Sequence, residues 1–186
     1  MNNTILISGK AGSGKDTLAQ FMKETLEKHN KKVLIIHYGD AVKWVLRDYF
    51  CWDGKKDLVG RTLLQRVGTD IVRAKHPNFW VGIVVGLLQA FEPYNDFDVA
   101  IVPDTRFPNE VDIPLENLKN CVAVRIDRRN ADGTPWINDK LTEEQRNHPS
   151  ETSLDCYAFD YVVHNDEGLD TLQESAWSIL EDLKLV

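Results

Sequence analysis

The 186-residue chain is 42% hydrophobic and 27% charged, enough apolar material for one sizeable core within the length of one domain. A formal net charge of -7 opposes binding to DNA, RNA or an acidic membrane surface, so an anionic small molecule needs a locally positive pocket. Cys51, Cys121 and Cys156 are odd in number, far apart and without a Cys-x-x-Cys pair, which speaks against a disulfide framework or a zinc site and fits a reducing cytoplasm.

Met1-Asn2-Asn3-Thr4 runs directly into a strand-like segment, Ile5-Leu6-Ile7, with none of the basic, apolar and cleavage regions of a signal peptide. Next comes Gly9-Lys10-Ala11-Gly12-Ser13-Gly14-Lys15, a G-x-x-x-x-G-K sequence between an expected strand and an expected helix. In that setting the glycines let the backbone close into a concavity whose N–H groups converge on phosphate oxygens, and the helix adds the positive end of its dipole. Ala11, Gly12, Ser13 and Gly14 form the expected cradle, with Lys15 over the β- and γ-phosphates. Where the common pattern has Ser or Thr after the lysine, this chain has Asp16, followed by Thr17. Asp16 either holds magnesium through water or caps the helix and orients Lys15; the chemistry supports both.

The first helix is expected to bury Leu18, Phe21, Met22 and Leu26, and Val33 to Ile36 reads as a second strand. A second helix is expected after Asp40 as its N-cap, with Val42, Val45, Leu46 and Tyr49 on one side. Asp53 to Asp57 is loop by composition. From Arg61 to Lys75 the pattern is amphipathic: Leu63, Leu64, Val67 and Ile71 share one side, while Arg66, Asp70 and Arg73 fall at i, i+4 and i+7 on another. Two cations flanking a carboxylate suit an anionic ligand, and equally a solvated ion-pair face. Phe79 to Phe91 is apolar on nearly all sides and predicts a central packed helix, its longest apolar run, Phe79 to Leu88, being too short to span a bilayer.

Asp98 to Val102 leads into Pro103-Asp104-Thr105-Arg106, placing Asp104 just beyond the carboxyl end of a buried strand, the edge at which open α/β sheets bind ligands. Asp104 there can hold magnesium's water ligands or orient a substrate, and Arg106 can clamp a phosphate; a plain Asp–Arg turn pair is the alternative. After a strand at Val122 to Ile126, apolar residues thin out from Arg128 to Thr152, with turn material at 130–135 and a capping box at Thr142-Glu143-Glu144-Gln145. Arg125, Arg128 and Arg129 at its base and Arg146 with His148 near its end make this segment a candidate lid that brings positive charge on closure, or a solvated loop. His148 is expected to be structural, because transfer to a phosphate oxyanion needs no general base. A strand at Tyr161-Val162-Val163 and a helix carrying Leu169, Leu172, Ala176, Ile179, Leu180 and Leu183 complete the chain. Strands alternating with helices imply a five-stranded parallel sheet with helices on both faces.

Together, Ser13-Gly14-Lys15-Asp16-Thr17, Gly68-Thr69-Asp70 followed by Trp80-Val81, Ile101-Val102-Pro103-Asp104-Thr105-Arg106 and Asn165-Asp166 resemble the deoxynucleoside monophosphate kinases of T-even bacteriophages and their bacterial relatives. The resemblance spans nearly the whole chain in order, and Asp after the lysine is typical of that family. It implies a P-loop NTPase of the nucleoside monophosphate kinase type, one domain over 1–186, with an acceptor-binding region at about 40–95 and a lid at about 128–152. Asn165 and Asp166 by similarity lie where the adenine of ATP rests. The segment from Asp57 to Arg61 is shorter than in the phage enzymes, so base selectivity and dimer contacts do not transfer. Animal-type phosphomevalonate kinases share the Gly-Lys-Asp loop, and dephospho-coenzyme A kinases are more distant.

The resulting expectation is a kinase using ATP and Mg2+, acting on a nucleoside monophosphate, with no nucleic acid or membrane partner and a homodimer left open. Lys15 and the loop N–H groups take the donor phosphates; Asp16, Thr17 and Asp104 manage magnesium. Asp40, Lys43, Arg66, Asp70, Arg73, Trp80, Asp104 and Arg106 are the acceptor contacts, and Arg128 or Arg129 joins Lys15 and Arg106 in stabilising the transferring group. A regulatory module that binds ATP without transferring it is the alternative of a different class.

Overall fold

The β-branched runs become five parallel strands: β1 (Asn3–Ser8), β2 (Val33–Ile35), β3 (Val99–Thr105), β4 (Cys121–Arg128) and β5 (Tyr161–Asn165), in the order β2-β3-β1-β4-β5. The computed structural model describes residues 2–94, 96–130, 132–166 and 168–186; Met1 ahead of β1 and Ala131 in the turn expected at 130–135 lie outside them. In the central register Ile5 sits between Ile101 and Val122, and because side chains alternate, the sheet buries two apolar faces. Ile5, Ile7, Ile101, Val124 and Ile126 pack on one side with Leu18, Met22 and Leu26 of α1 (Lys15–Lys28). On the other side, Leu6, Ala100, Val102 and Ala123 pack with Val81, Val84 and Leu88, which belong to a later helix. Each of these buried Ile, Leu, Val and Met side chains contributes roughly 1.5–3 kcal/mol, which is why the central strands are rigid enough to aim the loops at their carboxyl ends.

After β2, whose ladder ends at Ile35 rather than the expected Ile36, comes α2 (Tyr38–Phe50), then α3 (Leu58–Gln65), which continues into a π-helix (Arg66–Arg73). α4 (Phe79–Phe91) leads to β3, α5 (Asn109–Asn117) links β3 to β4, and the short α6 (Glu143–Asn147) and α7 (Pro149–Thr152) precede β5. The last helix, α8 (Leu169–Asp182), buries Leu172, Ala176, Ile179 and Leu180 beside α1, while Leu169 stays exposed. The capping box of α6 forms in full, with Thr142 accepting from the Gln145 N–H and Gln145 reaching back. Among the described residues no helix is long and apolar enough to cross a membrane.

Four expectations are corrected. α2 begins at Tyr38, with Asp40 inside its first turn, because Asp104 accepts from the Tyr38 and Gly39 N–H groups at 2.9 Å each and caps the helix from another strand. Its C-terminal Tyr49 is 68% exposed and does not join Val42 and Leu46 in the core. β3 runs on to Thr105, so Asp104 lies within the strand's last turns of pleat and not beyond it. α4 is not packed on all sides: Phe79, Ile83, Leu87 and Phe91, four apart, form an exposed flank.

The π-helix is the largest departure. Its i→i+5 hydrogen bonds place residues five apart on one face, so Val67 and Val72 pack on Val42, Leu46 and Trp80, while Ile71, expected in the core at i+4, is 45% exposed. The same shift parts Arg66 from Arg73, with consequences for the site.

Candidate active site

Gly9 to Gly14 forms the expected concave loop. Gly12 and Gly14 adopt φ of 85° and 107°, which side-chain-bearing residues rarely take, and a Cβ on Gly9 would lie 2.5 Å from Ser13 Oγ. Lys15 is 7% exposed and donates to the Gly9 and Lys10 carbonyls at 2.7 Å each. Burial, with help from nearby Arg106, pushes its ammonium down to about 7. Asn165 donates to the Ser13 carbonyl at 2.8 Å and backs Gly14, so it shapes the loop; Asp166 is exposed just past β5. The expected lid segment reaches the same loop. Asn138 donates to the Ala11 carbonyl and Arg128 to the Gly12 carbonyl, each at 2.9 Å, and the Arg128 guanidinium stacks 4.2 Å above Trp136.

From Lys15 and Asp16 a cavity of about 400 Å³ runs to Trp80. Six cationic side chains line it, Lys15, Lys43, Lys56, Arg61, Arg73 and Arg106, against four acidic ones, Asp16, Asp104, Glu110 and Glu151, a locally positive pocket in a protein of net charge -7. Its apolar wall comes from Val42, Leu64 and Trp80, whose indole N–H donates to the Gly68 carbonyl at 2.8 Å and pins the π-helix. Partial desolvation, then the charge of Lys43, pushes Lys56 down. Lys43 pairs with Asp40 at 2.7 Å at the cavity rim.

At the carboxyl end of β3, Arg106 pairs with Glu151 and donates to the Ser150 carbonyl at 3.0 Å. Arg73 pairs with Glu110, donates to Asn109 Oδ1 at 3.0 Å and lies 3.9 Å over the Phe107 ring. Arg73 Nε is buried without a hydrogen-bond partner among the described residues. Glu110, 3% exposed, also accepts from the Arg106 N–H at 2.7 Å; burial pushes its carboxyl up to about 7 against the pull of Arg73.

Of the residues singled out from sequence, the fold gathers Ala11, Gly12, Lys15, Asp16, Lys43, Arg73, Trp80, Asp104 and Arg106 on one cavity, while Ser13 and Gly14 lie behind its lining. Thr17 lies half-buried in the first turn of α1. Arg66 is exposed and outside the cavity lining; Asp70, also exposed, meets the His148 ring at 3.3 Å, and the Arg66–Asp70–Arg73 constellation does not form among the described residues. Arg128 reaches the loop, whereas Arg129 turns to Asp127 at 3.1 Å. His148 caps α7, as a structural residue would. Missed from sequence were Lys56, Arg61, Glu110, Asn138 and the role of Glu151. Lys56 and Arg61 flank a loop of turn composition, and no spacing rule ties Glu110 to Arg73, 37 residues away.

A family model described as deoxynucleotide monophosphate kinase matches residues 40–176, and one described as adenylylsulphate kinase matches residues 1–69. No curated protein sequence matches significantly. Among solved structures the chain is similar to a sugar kinase from a Janibacter species, with 11% identity over 97% of this chain and 95% of that one and a TM-score of 0.57. It is also similar to shikimate kinase from Aquifex aeolicus, with 15% identity, 98% of each chain covered and a TM-score of 0.51. A further likeness is to the APS kinase of Mycobacterium tuberculosis in complex with AMPPNP and APS, with 14% identity, 98% of each chain covered and a TM-score of 0.50. At such identities these likenesses speak for the fold alone, a parallel P-loop kinase sheet.

Proposed function

The chain belongs to the deoxynucleotide monophosphate kinase family and is a kinase of the P-loop type, and from that premise we propose that it transfers the γ-phosphoryl group of ATP to a deoxynucleoside monophosphate. The observation that carries this reading is the single cavity that joins the phosphate loop at one end to Trp80 and Arg73 at the other. Direct transfer requires donor and acceptor phosphates side by side in one water-poor space.

The residues fit such a donor. Loop N–H groups and Lys15 take its phosphates, and a phosphate beside Lys15 restores the ammonium charge that burial weakens. Among the described residues no group of three or more His, Cys, Asp or Glu is gathered for a metal, a donor set that suits magnesium held mainly by nucleotide phosphates. Asp16 and Thr17 would supply a carboxylate and a hydroxyl, and Asp104 its charge. The acceptor base lies against Trp80, Leu64 and Val42, and its phosphate meets the guanidinium groups of Arg106 and Arg73. Arg128, already at the loop, is the closing cation. The chain works as one domain, with the acceptor part at about 40–95 and the closing segment at about 128–152. The reaction needs alignment and charge neutralisation, with no covalent intermediate.

The test is a panel of ribo- and deoxynucleoside monophosphates in a coupled ADP-release assay, with Lys15→Ala as control. ADP release that depends on a deoxynucleoside monophosphate and drops about a hundredfold or more in a folded Lys15→Ala variant is expected. Release with phosphomevalonate or dephospho-coenzyme A alone would move the acceptor class, and release without any acceptor would make the chain an ATPase.

A further inference from the structure

Glu151 is an acidic side chain that enters the phosphate loop itself. Its Oε2 accepts from the Ala11 N–H at 2.8 Å, and its Oε1 pairs with Arg106. The side chain is 7% exposed, so both contacts are charge-assisted and poorly screened. Four residues on, Asp155 accepts from Lys10 of the same loop at 2.8 Å and from Arg125 at 3.2 Å. One short segment thus lays two carboxylates on groups that the loop presents to anions.

We propose that Glu151 is a built-in phosphate surrogate: it holds the Ala11 amide and Arg106 together until donor phosphate displaces it, and its departure releases Arg106 to the acceptor. This rests on the reading of the cavity as a joint donor and acceptor site.

The argument is one of exclusion and of charge. The Ala11 N–H has one proton to donate, and a carboxylate and a phosphate oxygen cannot both take it without bringing two anions into contact. Donor binding therefore works against Glu151. Once Glu151 leaves, the Arg106 guanidinium loses its paired carboxylate and keeps the Ser150 carbonyl at most; Asp104 and Glu110 stay nearby without a direct ion pair to it, so its N–H groups are open to the acceptor's phosphate. The contact is local: α7 is four residues long, is closed at its start by the His148 side chain and reaches the loop through the Glu151 carboxylate, while Leu154 just beyond it stays packed in the core, so Glu151 can leave without unseating the segment that follows. Because Glu151 opposes both anions, each ligand favours the other, and the coupling is reciprocal. Glu151 is a positioning residue here; it touches neither reacting phosphate during transfer.

Calorimetric titration of tripolyphosphate tests this directly. Glu151→Gln keeps the size and loses the charge, and it should bind tripolyphosphate about tenfold more tightly than wild type. In wild type, saturating AMPPNP should tighten the binding of the four deoxynucleoside monophosphates about tenfold, and in Glu151→Gln that enhancement should vanish because Arg106 is already released. Equal or weaker tripolyphosphate binding by a folded Glu151→Gln variant overturns the proposal. A measurement on wild type guards against a variant that fails to fold: tripolyphosphate should raise amide hydrogen exchange across residues 150–152 of α7, and unchanged or slower exchange there also overturns it. Wild type that binds neither tripolyphosphate nor AMPPNP would instead remove the kinase reading, and the surrogate with it.

Discussion

Asp104 looks like a metal or substrate carboxylate in the sequence, yet both of its oxygens are committed to the first two N–H groups of α2. A carboxylate accepts at both oxygens; an amide accepts at one and donates at the other. Asp104→Asn is therefore expected to leave one helix N–H facing a donor and to lower the unfolding free energy by about 1–3 kcal/mol in urea titration. An unchanged midpoint would return Asp104 to a purely catalytic role. Glu110 has the opposite character, a buried carboxyl whose charge is disfavoured. Its folded value of about 7 lies above the ordinary 4.5, so its stabilising contribution is complete below pH 4.5 and is lost as pH rises through 7. Between those limits wild type should lose stability relative to Glu110→Gln, with a slope of at most about 1.4 kcal/mol per pH unit. Parallel stability curves for the two proteins would show that Arg73 holds Glu110 ionised throughout. Neither role was legible from spacing, because each depends on a partner 37 or more residues away.

The π-helix decides which arginine faces the cavity. Helical periodicity found an amphipathic segment in the right place, since Val67 and its neighbours do pack on α2 and α4. It assumed i+4 spacing, and the wider turn sends Arg66 to solvent while turning Arg73 to Glu110 and the cavity. Arg66→Ala should leave the Michaelis constant for the monophosphate unchanged. Arg73→Lys keeps the charge beside Glu110 but loses the planar fork, and should raise that constant about tenfold with a smaller change in turnover number. If Arg66→Ala has the larger effect, the π-helix unwinds to an α-helix in the working enzyme. Trp80 is the residue that stabilises the wide turn from outside, through its bond to the Gly68 carbonyl. Trp80→Phe keeps most of the apolar volume and deletes that bond, so it should reproduce part of the Arg73→Lys defect while costing about 1 kcal/mol of stability.

At the scale of the molecule, the segment from 128 to 152 ties the phosphate loop to α3: Arg128 and Asn138 reach the loop, and Gln145 donates to Leu58 and Thr62 of α3. Arg128→Ala should lower single-turnover rates by a hundredfold or more, while Arg129→Ala, whose partner is Asp127, should be nearly silent. The reverse ranking would mean that the segment rearranges before transfer. Local sequence by itself determined the phosphate loop, the five strands, the helix at Lys15 and the capping box of α6. These are written in short-range terms: glycine where φ must be positive, β-branched runs for buried strands, and a threonine three residues ahead of a glutamine. Only the tertiary structure decided that Asp104 caps a helix from another strand, that Arg73 and not Arg66 faces the cavity, and that Glu151 lies in the phosphate loop. Those outcomes are set by which side chains the sheet order brings together across distances of 37 to 140 residues, and a charge finds its partner through that packing, which no local spacing encodes.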